Sequence, residues 1–203
     1  MKKKTLCQHI DALAKKDKHV AAGLELVGYP EPRVRPQGIE TFLSIVVGQQ
    51  ISTEAAAAIM RRVRKLLPEM HEEAVLDLPD GALREAGLSN RKVEYVQGIA
   101  TAIKQGDLQI DEFPSLDDDE VIRQITALRG FGRWSAEIYL MFSLQRQDVF
   151  AADDLALLIA LQKLKRMRAR PTPKKAREKI KHWAPYRTAG SVFLWHYYRG
   201  APT

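Results

Sequence analysis

Two acids stand together at Asp153 and Asp154, directly before the apolar run LALLIAL. A carboxylate at a helix start accepts the first free amide N–H groups, and the helix dipole favours its ionised form. Such a charge can cap the helix. Held in a dry site, it can also stabilise a developing cation or activate a water. The stretch LRGFGRW, 22 residues upstream of Asp154 at its second glycine, interrupts a helical pattern with Gly130 and Gly132. Glycine permits positive φ and close approach of another backbone, and the first turn of the following helix carries unpaired N–H groups. Gly130 and Gly132 would present amides to a phosphate, with Arg133 and Ser135 adding side-chain donors, in a contact blind to base identity. A plain turn between two helices with a C-cap glycine fits the same spacing. Between Lys163 and Lys181 the chain carries ten Lys or Arg and one acid, Glu178. That run is either a solvated face or a surface for a polyanion.

Composition narrows the classes. The chain has 203 residues, 45% hydrophobic and 28% charged, with a formal net charge of +7. This is enough chain for one domain or two small lobes, and the charge suits a polyanionic partner. No run of 18 apolar residues occurs, and the basic start has no apolar h-region, so neither a membrane span nor a secretory leader is expected. One cysteine, Cys7, makes no internal disulfide and no four-cysteine iron–sulfur site, which fits a reducing cytoplasmic compartment. His9, His19, His71, His182 and His196 lack metal-ligand spacing and read as structural or surface residues.

The elements that must position these residues are helical throughout, about ten in number, so the expected class is all-α. Helices are predicted near 5–14, 20–27, 39–47, 53–67, 72–78 and 81–86, and from Ser89 to about Lys104. GYPEPRVRPQG, with three prolines and two glycines, is a loop. Ser52 is a natural N-cap, and Ser115 with Asp118 has capping-box spacing. Trp134, Ile138, Met141 and Phe142 form an apolar stripe at i, i+4, i+7 and i+8. Asp153 or Asp154 caps a helix through Leu161, and two short helices finish the chain.

Together, LRGFGRWSAEIYL, DVFAADDLAL, VVGQQISTEAAAAI and HWAPYRTAGSVFLWHYYRG resemble the helix–hairpin–helix DNA glycosylase superfamily, in particular its alkylation-repair branch, DNA-3-methyladenine glycosylase II, in the short bacterial form. The resemblance runs from about Ile39 to the C-terminus. It implies a two-lobed helical glycosylase with a central DNA cleft: a contiguous lobe over 39–147, holding the hairpin at about 117–144, and a second lobe joining 1–38 to 148–203. The implied activity is monofunctional: an alkylated purine of the 3-methyladenine or 7-methylguanine class is flipped out and its N-glycosidic bond hydrolysed, leaving an abasic site. Asp154 matches the catalytic acid, with Asp153 bracing the helix start. Trp134 and Trp195 match the base pocket, against ordinary core packing as the alternative; Ile138 and Tyr139 stand where some members carry a pocket tyrosine, which bears on substrate preference. Trp134 replaces the Schiff-base lysine of bifunctional branches, so no lyase step is expected. Gln50 matches the wedge that enters the gap left by the flipped nucleotide, with Ile51 beside it. The backbone carbonyls of Thr126, Leu128 and Phe131 match those that hold a monovalent cation, Na+ or K+; no cofactor is otherwise expected. The implied partner is double-stranded DNA, the implied setting the bacterial cytoplasm and nucleoid, and the protein a monomer. Two alternatives stand: a glycosylase for hypoxanthine, uracil or mismatched bases, and a non-catalytic DNA-binding module. Asp154 separates the second, because a carboxylate gains a pure binder of polyanions nothing.

Overall fold

The computed structural model describes residues 1–201, and among them every regular element is helical. The α-helices are α1 (Lys3–Lys16), α2 (Lys18–Val27), α3 (Ile39–Gly48), α4 (Thr53–Leu66), α5 (Glu72–Leu76), α6 (Ala82–Glu85), α7 (Asn90–Lys104), α8 (Asp118–Ala127), α9 (Arg133–Phe142), α10 (Leu155–Leu164), α11 (Pro173–Lys179) and α12 (Arg187–Gly200). Two 3-10 turns, Ile110–Ser115 and Lys181–Trp183, complete the set. None of these helices is long and apolar enough to cross a membrane. The last helix, α12, has 14 residues, longer than its sequence pattern suggests.

Local side-chain chemistry sets most helix starts. Ser52, Ser89 and Thr172 accept the N–H of Ala55, Lys92 and Lys175 at 3.2, 3.4 and 3.3 Å. The start of α8 differs from the capping-box expectation. Ser115 does not cap it: its Oγ donates to the Glu112 carbonyl at 2.7 Å and is used up in the 3-10 turn around Pro114. Asp117 caps α8 instead, accepting the Glu120 N–H at 2.8 Å.

The chain divides into two compact units. The contiguous unit runs from Arg35 to Tyr139; the other joins Met1–Val34 to the residues from Leu140 onward. The boundaries fall at Arg35 and Tyr139 rather than at Ile39 and Gln147, for visible reasons. Thr41 donates to the Pro36 carbonyl at 2.7 Å, which binds the loop to α3. Thr188 on α12 donates through its hydroxyl to the Arg146 carbonyl at 2.6 Å and through its N–H to the Gln147 carbonyl at 3.0 Å.

In the contiguous unit α7 packs against α3, α5 and α6. In the other, α10 and α12 pack on each other and both meet α2. Gly23 makes that last approach possible: a Cβ there would stand 2.7 Å from Leu164 Cδ1 and 3.1 Å from the Phe193 ring. Beneath this layer Asp17 is 4% exposed and caps α2. Its Oδ2 accepts the Lys165 ammonium, the Trp183 indole N–H at 2.7 Å and a bond from His182 at 3.0 Å. Burial alone would push the Asp17 carboxyl up; the bonds from Lys165, Trp183 and His182 outweigh it and hold the group well below the usual carboxylate range.

Candidate functional site

In the contiguous unit, α8 and α9 meet at the turn Leu128–Gly132. Leu128 is extended (φ −74°, ψ 134°), and its carbonyl accepts the Phe131 N–H at 3.1 Å. Gly130 has φ +90°, and a Cβ there would lie 2.4 Å from the Tyr95 ring of α7. Only glycine satisfies both constraints. The Phe131 ring sits edge-on to Phe42 of α3, with centroids 5.7 Å apart. Gln49 donates its amide to the Gly130 carbonyl at 2.9 Å. The turn is therefore fixed by α3, by α7 and by the loop after α3.

Gly132 is under neither constraint: a Cβ there meets nothing within 4 Å. Its carbonyl opens α9 by accepting the Ser135 and Ala136 N–H groups at 3.0 and 3.3 Å. Gly132 and Arg133 are exposed and Trp134 is half-buried. Arg133 leans on Glu137 at 3.0 Å, whose side chain is 2% exposed. These residues can present a first-turn amide surface to a phosphate. The two glycines consequently separate in their expected mutants. Gly130→Ala should lower stability by about 2–5 kcal/mol, from left-handed strain plus the Tyr95 clash. Gly132→Ala should move the melting temperature little, shift stability by less than about 1 kcal/mol, and weaken duplex binding. Thermal melts beside a DNA titration check the pair.

Three of the candidate site residues, Ser135, Ile138 and Tyr139, lie on the buried face of α9. Ser135 is 2% exposed, so its hydroxyl points inside and is no phosphate donor. Ile138 is 4% exposed and Tyr139 fully buried, so both are packed in the core. Tyr139 stacks on Phe42 at 4.7 Å and 22°, meets Phe113 edge-on at 5.7 Å, and accepts the Gly38 N–H at 3.1 Å. Burial pushes its phenol up to about 12. The inward face of α9 claims all three positions, because an amphipathic helix buries its apolar stripe regardless of which tyrosine stands on it.

The loop after α3 carries the candidate wedge. Gln50 is exposed with φ +59°, a conformation that costs a non-glycine residue about 1 kcal/mol or more. Ile51 beside it is 38% exposed. Lys92 of α7 holds the loop by donating to the Val47 and Gln49 carbonyls at 2.8 and 2.9 Å, and burial lowers its pKa. Gln49 and Lys92 escaped the sequence reading. The doubled glutamine was the available signal: one amide braces the turn and the other projects.

Backbone carbonyls such as those of Thr126, Leu128 and Phe131 are hard oxygen acceptors. The Leu128 carbonyl accepts one N–H and keeps a second lone pair. Among the described residues no group of three or more His, Cys, Asp or Glu could hold a metal ion.

The second unit holds the acid pair. Asp153 is exposed and Asp154 half-buried. Asp154 is the N-cap of α10: its Oδ1 accepts the Leu157 N–H at 3.0 Å and the Trp195 indole N–H at 3.2 Å. The segment leading to it is tightly fastened. Arg187 forms a two-pronged pair with Asp148 at 2.7 and 2.6 Å, and Arg177 donates to the Phe150 carbonyl at 2.9 Å. Ala151 and Ala152 are fully buried, and the Asp154 N–H turns back to the Ala151 carbonyl at 3.0 Å. Trp195, 9% exposed, lies 5.7 Å from Phe142 with the rings inclined by 38°. The Arg33 guanidinium stands over Trp195, 5.3 Å from its centroid. The arrangement is an anchored carboxylate bonded to the edge of an electron-rich ring, able to stabilise a positive charge beside an aromatic face.

The basic run divides by burial. Lys165 is spent on Asp17 and Arg177 on Phe150, while Lys163, Arg166, Arg168, Arg170, Lys174, Lys175, Lys179 and Lys181 are exposed.

The chain is similar in sequence and fold to known proteins. The sequence profile described as "HhH-GPD superfamily base excision DNA repair protein" matches residues 43–185. The DNA-3-methyladenine glycosylase 1 of Schizosaccharomyces pombe is 31% identical over 179 residues, 85% of this chain and 78% of that protein. The solved structure of the Schizosaccharomyces pombe 3-methyladenine DNA glycosylase in complex with abasic DNA is similar at a TM-score of 0.84 and 29% identity, over 93% of this chain and 95% of that one. A DNA-3-methyladenine glycosidase from Bacillus halodurans is similar at a TM-score of 0.80 and 31% identity, over 94% and 89% of the two chains.

Proposed function

Because this chain belongs to the HhH-GPD superfamily of base excision DNA repair proteins, we propose that it is a monofunctional DNA glycosylase. It hydrolyses the N-glycosidic bond of alkylated purines in duplex DNA, of the 3-methyladenine and 7-methylguanine class, and leaves an abasic site. The observation that carries this reading is Asp154: a helix-capping carboxylate fixed by the Leu157 amide and the Trp195 indole.

The target base is buried in the duplex stack, so the nucleotide must be flipped out at a cost of a few kcal/mol. N-alkylation makes the purine cationic, and a tryptophan face attracts a planar cation more strongly than a neutral base. As the glycosidic bond lengthens, the pair of bonding electrons departs with the base and positive charge gathers on the sugar. The Asp154 carboxylate stabilises that charge, and low local dielectric strengthens the effect. Water then adds to the anomeric carbon, and a carboxylate at hydrogen-bond distance accepts its proton. Gln50, exposed on a strained loop, fills the gap in the stack and bonds the orphaned base. The turn amides near Gly132 hold one phosphate in register, and a monovalent cation on the Thr126, Leu128 and Phe131 carbonyls would neutralise part of that phosphate's charge.

A Schiff-base lyase needs an amine at the sugar, and an indole at position 134 has none. The expected products are therefore free base and intact strands bearing abasic sites. Methylated duplex DNA incubated with the protein tests this, with free 3-methyladenine and 7-methylguanine measured by chromatography and strands run before and after alkali. Release of base with breaks only after alkali supports the reading. Breaks before alkali, with a borohydride-trapped adduct, remove the monofunctional assignment. Duplex binding with no release from alkylated, hypoxanthine or uracil substrates removes the enzyme.

A further inference from the structure

Arg33 takes no part in the chemistry above, yet it stands inside the aromatic constellation beside Asp154. Its guanidinium carbon lies 5.3 Å from the Trp195 centroid and 6.0 Å from that of Phe142. Those two rings are 5.7 Å apart, and the indole edge of Trp195 is bonded to Asp154. A planar, delocalised cation thus already rests on the faces whose edge reaches the carboxylate. Guanidinium is always charged and weakly hydrated, and it stacks on aromatic rings. A purine alkylated on a ring nitrogen shares its flatness and its charge. The segment that carries Arg33 is pinned close by: Glu31 pairs with Lys3, and Tyr29 bonds Asp11. Arg33 itself is an exposed residue. Exposure puts that side chain within reach of an incoming base.

We propose that Arg33 is an internal competitor for the Trp195–Phe142 faces, a cation that a flipped base must displace before it can stack beside Asp154. The proposal rests on the reading of this chain as an alkylpurine glycosylase. A site occupied part of the time by its own side chain shows an apparent affinity reduced by the fraction of time it is clear. A cation–π contact of ordinary strength sets that reduction at about 3- to 30-fold. A cationic base that stacks strongly overcomes the reduction. The factor is the same for undamaged purines, so Arg33 lowers their occupancy of the rings in the same proportion.

The test is a kinetic split on three proteins. Arg33→Ala is expected to lower KM for methylated duplex by about 3- to 30-fold with kcat unchanged, and to raise slow release of undamaged purines by a similar factor. Arg33→Lys keeps the charge and loses the plane, so its KM should fall near that of Arg33→Ala. Binding of 7-methylguanosine, followed by tryptophan fluorescence, should tighten in both variants. A KM that is unchanged or rises in Arg33→Ala overturns the proposal, as does restoration of wild-type behaviour by lysine, which marks a phosphate contact instead. Equal nucleoside affinity in all three proteins, or none in any, also overturns it. Melting temperatures within error of wild type show that the fold is intact. If the wild type releases no alkylated base, the enzymatic reading falls, while the nucleoside titration still decides whether Arg33 competes for the rings.

Discussion

Asp154→Asn is expected to lower base release by about 10²–10⁴-fold while leaving the protein folded and bound to DNA. The asymmetry follows from the two jobs of one oxygen. Asparagine caps helices as well as aspartate does, and its carbonyl oxygen can still accept from the Leu157 amide and the Trp195 indole, the bonds that Oδ1 accepts here. What disappears is the negative charge, which in the proposed mechanism stabilises the cationic sugar. Asp154→Ala is a poorer experiment: it also removes the cap, at about 0.5–2 kcal/mol, and mixes a folding effect with a chemical one. Asp153 is exposed, so Asp153→Asn should keep release within about twofold of wild type. Single-turnover release from methylated duplex, with a binding titration on the same proteins, checks all three. Full activity in Asp154→Asn would sink the assignment of the carboxylate.

Asp17→Asn is expected to be the most destabilising conservative change in the chain, at about 3–5 kcal/mol, because it leaves the Lys165 ammonium buried without its counter-charge. In a protein of this size that corresponds to a fall of about 6–20 °C in melting temperature. The Lys165 side chain is 5% exposed and that of Asp17 2%, so solvent screens neither. The amide oxygen introduced by Asp17→Asn would still accept the cap bond from the His19 N–H, so the loss reports the Lys165 counter-charge together with the Oδ2 bonds from Trp183 and His182, and not the cap. Adding Lys165→Met should recover much of the stability, since an apolar replacement of a buried pair is often neutral. Thermal or urea melts of the two single variants and the double variant give the coupling directly; additive effects would refute it. The pH dependence has a fixed sign. The Asp17 carboxyl titrates lower in the folded protein than in the unfolded chain. Its stabilisation is therefore complete above the ordinary aspartate value of about 3.9 and is lost as pH falls below it. The gap between wild type and Asp17→Asn should be constant near neutrality and narrow only in acid.

Several features were legible before any coordinates. The Ser52 and Ser89 caps, the extent of α7, the break at the glycines and the capping role of the acid pair all depend on residues within a few positions of one another. Periodicity and capping chemistry act over that range. The errors arose where two local signals competed. Ser115 and Asp117 both had the chemistry to cap α8, and the 3-10 turn around Pro114 captured the serine. The resemblance implies a pocket position at Ile138, with Tyr139 beside it, while the burial pattern of α9 puts both in the core. Ser135 lies on the same helix face and is 2% exposed.

The sequence by itself determined that this chain is all-helical, that it turns sharply at Gly130, and that a carboxylate begins the helix after Ala152. Each of those follows from hydrogen bonds and sterics closed within one or two turns. Tertiary structure decided the partners. Trp195 reaches Asp154 from 41 residues away, Gln49 braces Gly130 across 81, and Lys165 neutralises Asp17 across 148. The Arg33 guanidinium on the Trp195 face is of the same kind. Local propensity offers each of these groups many equivalent partners, and only burial of the apolar faces of the helices, which fixes one packing out of many, brings a single pair within bonding distance.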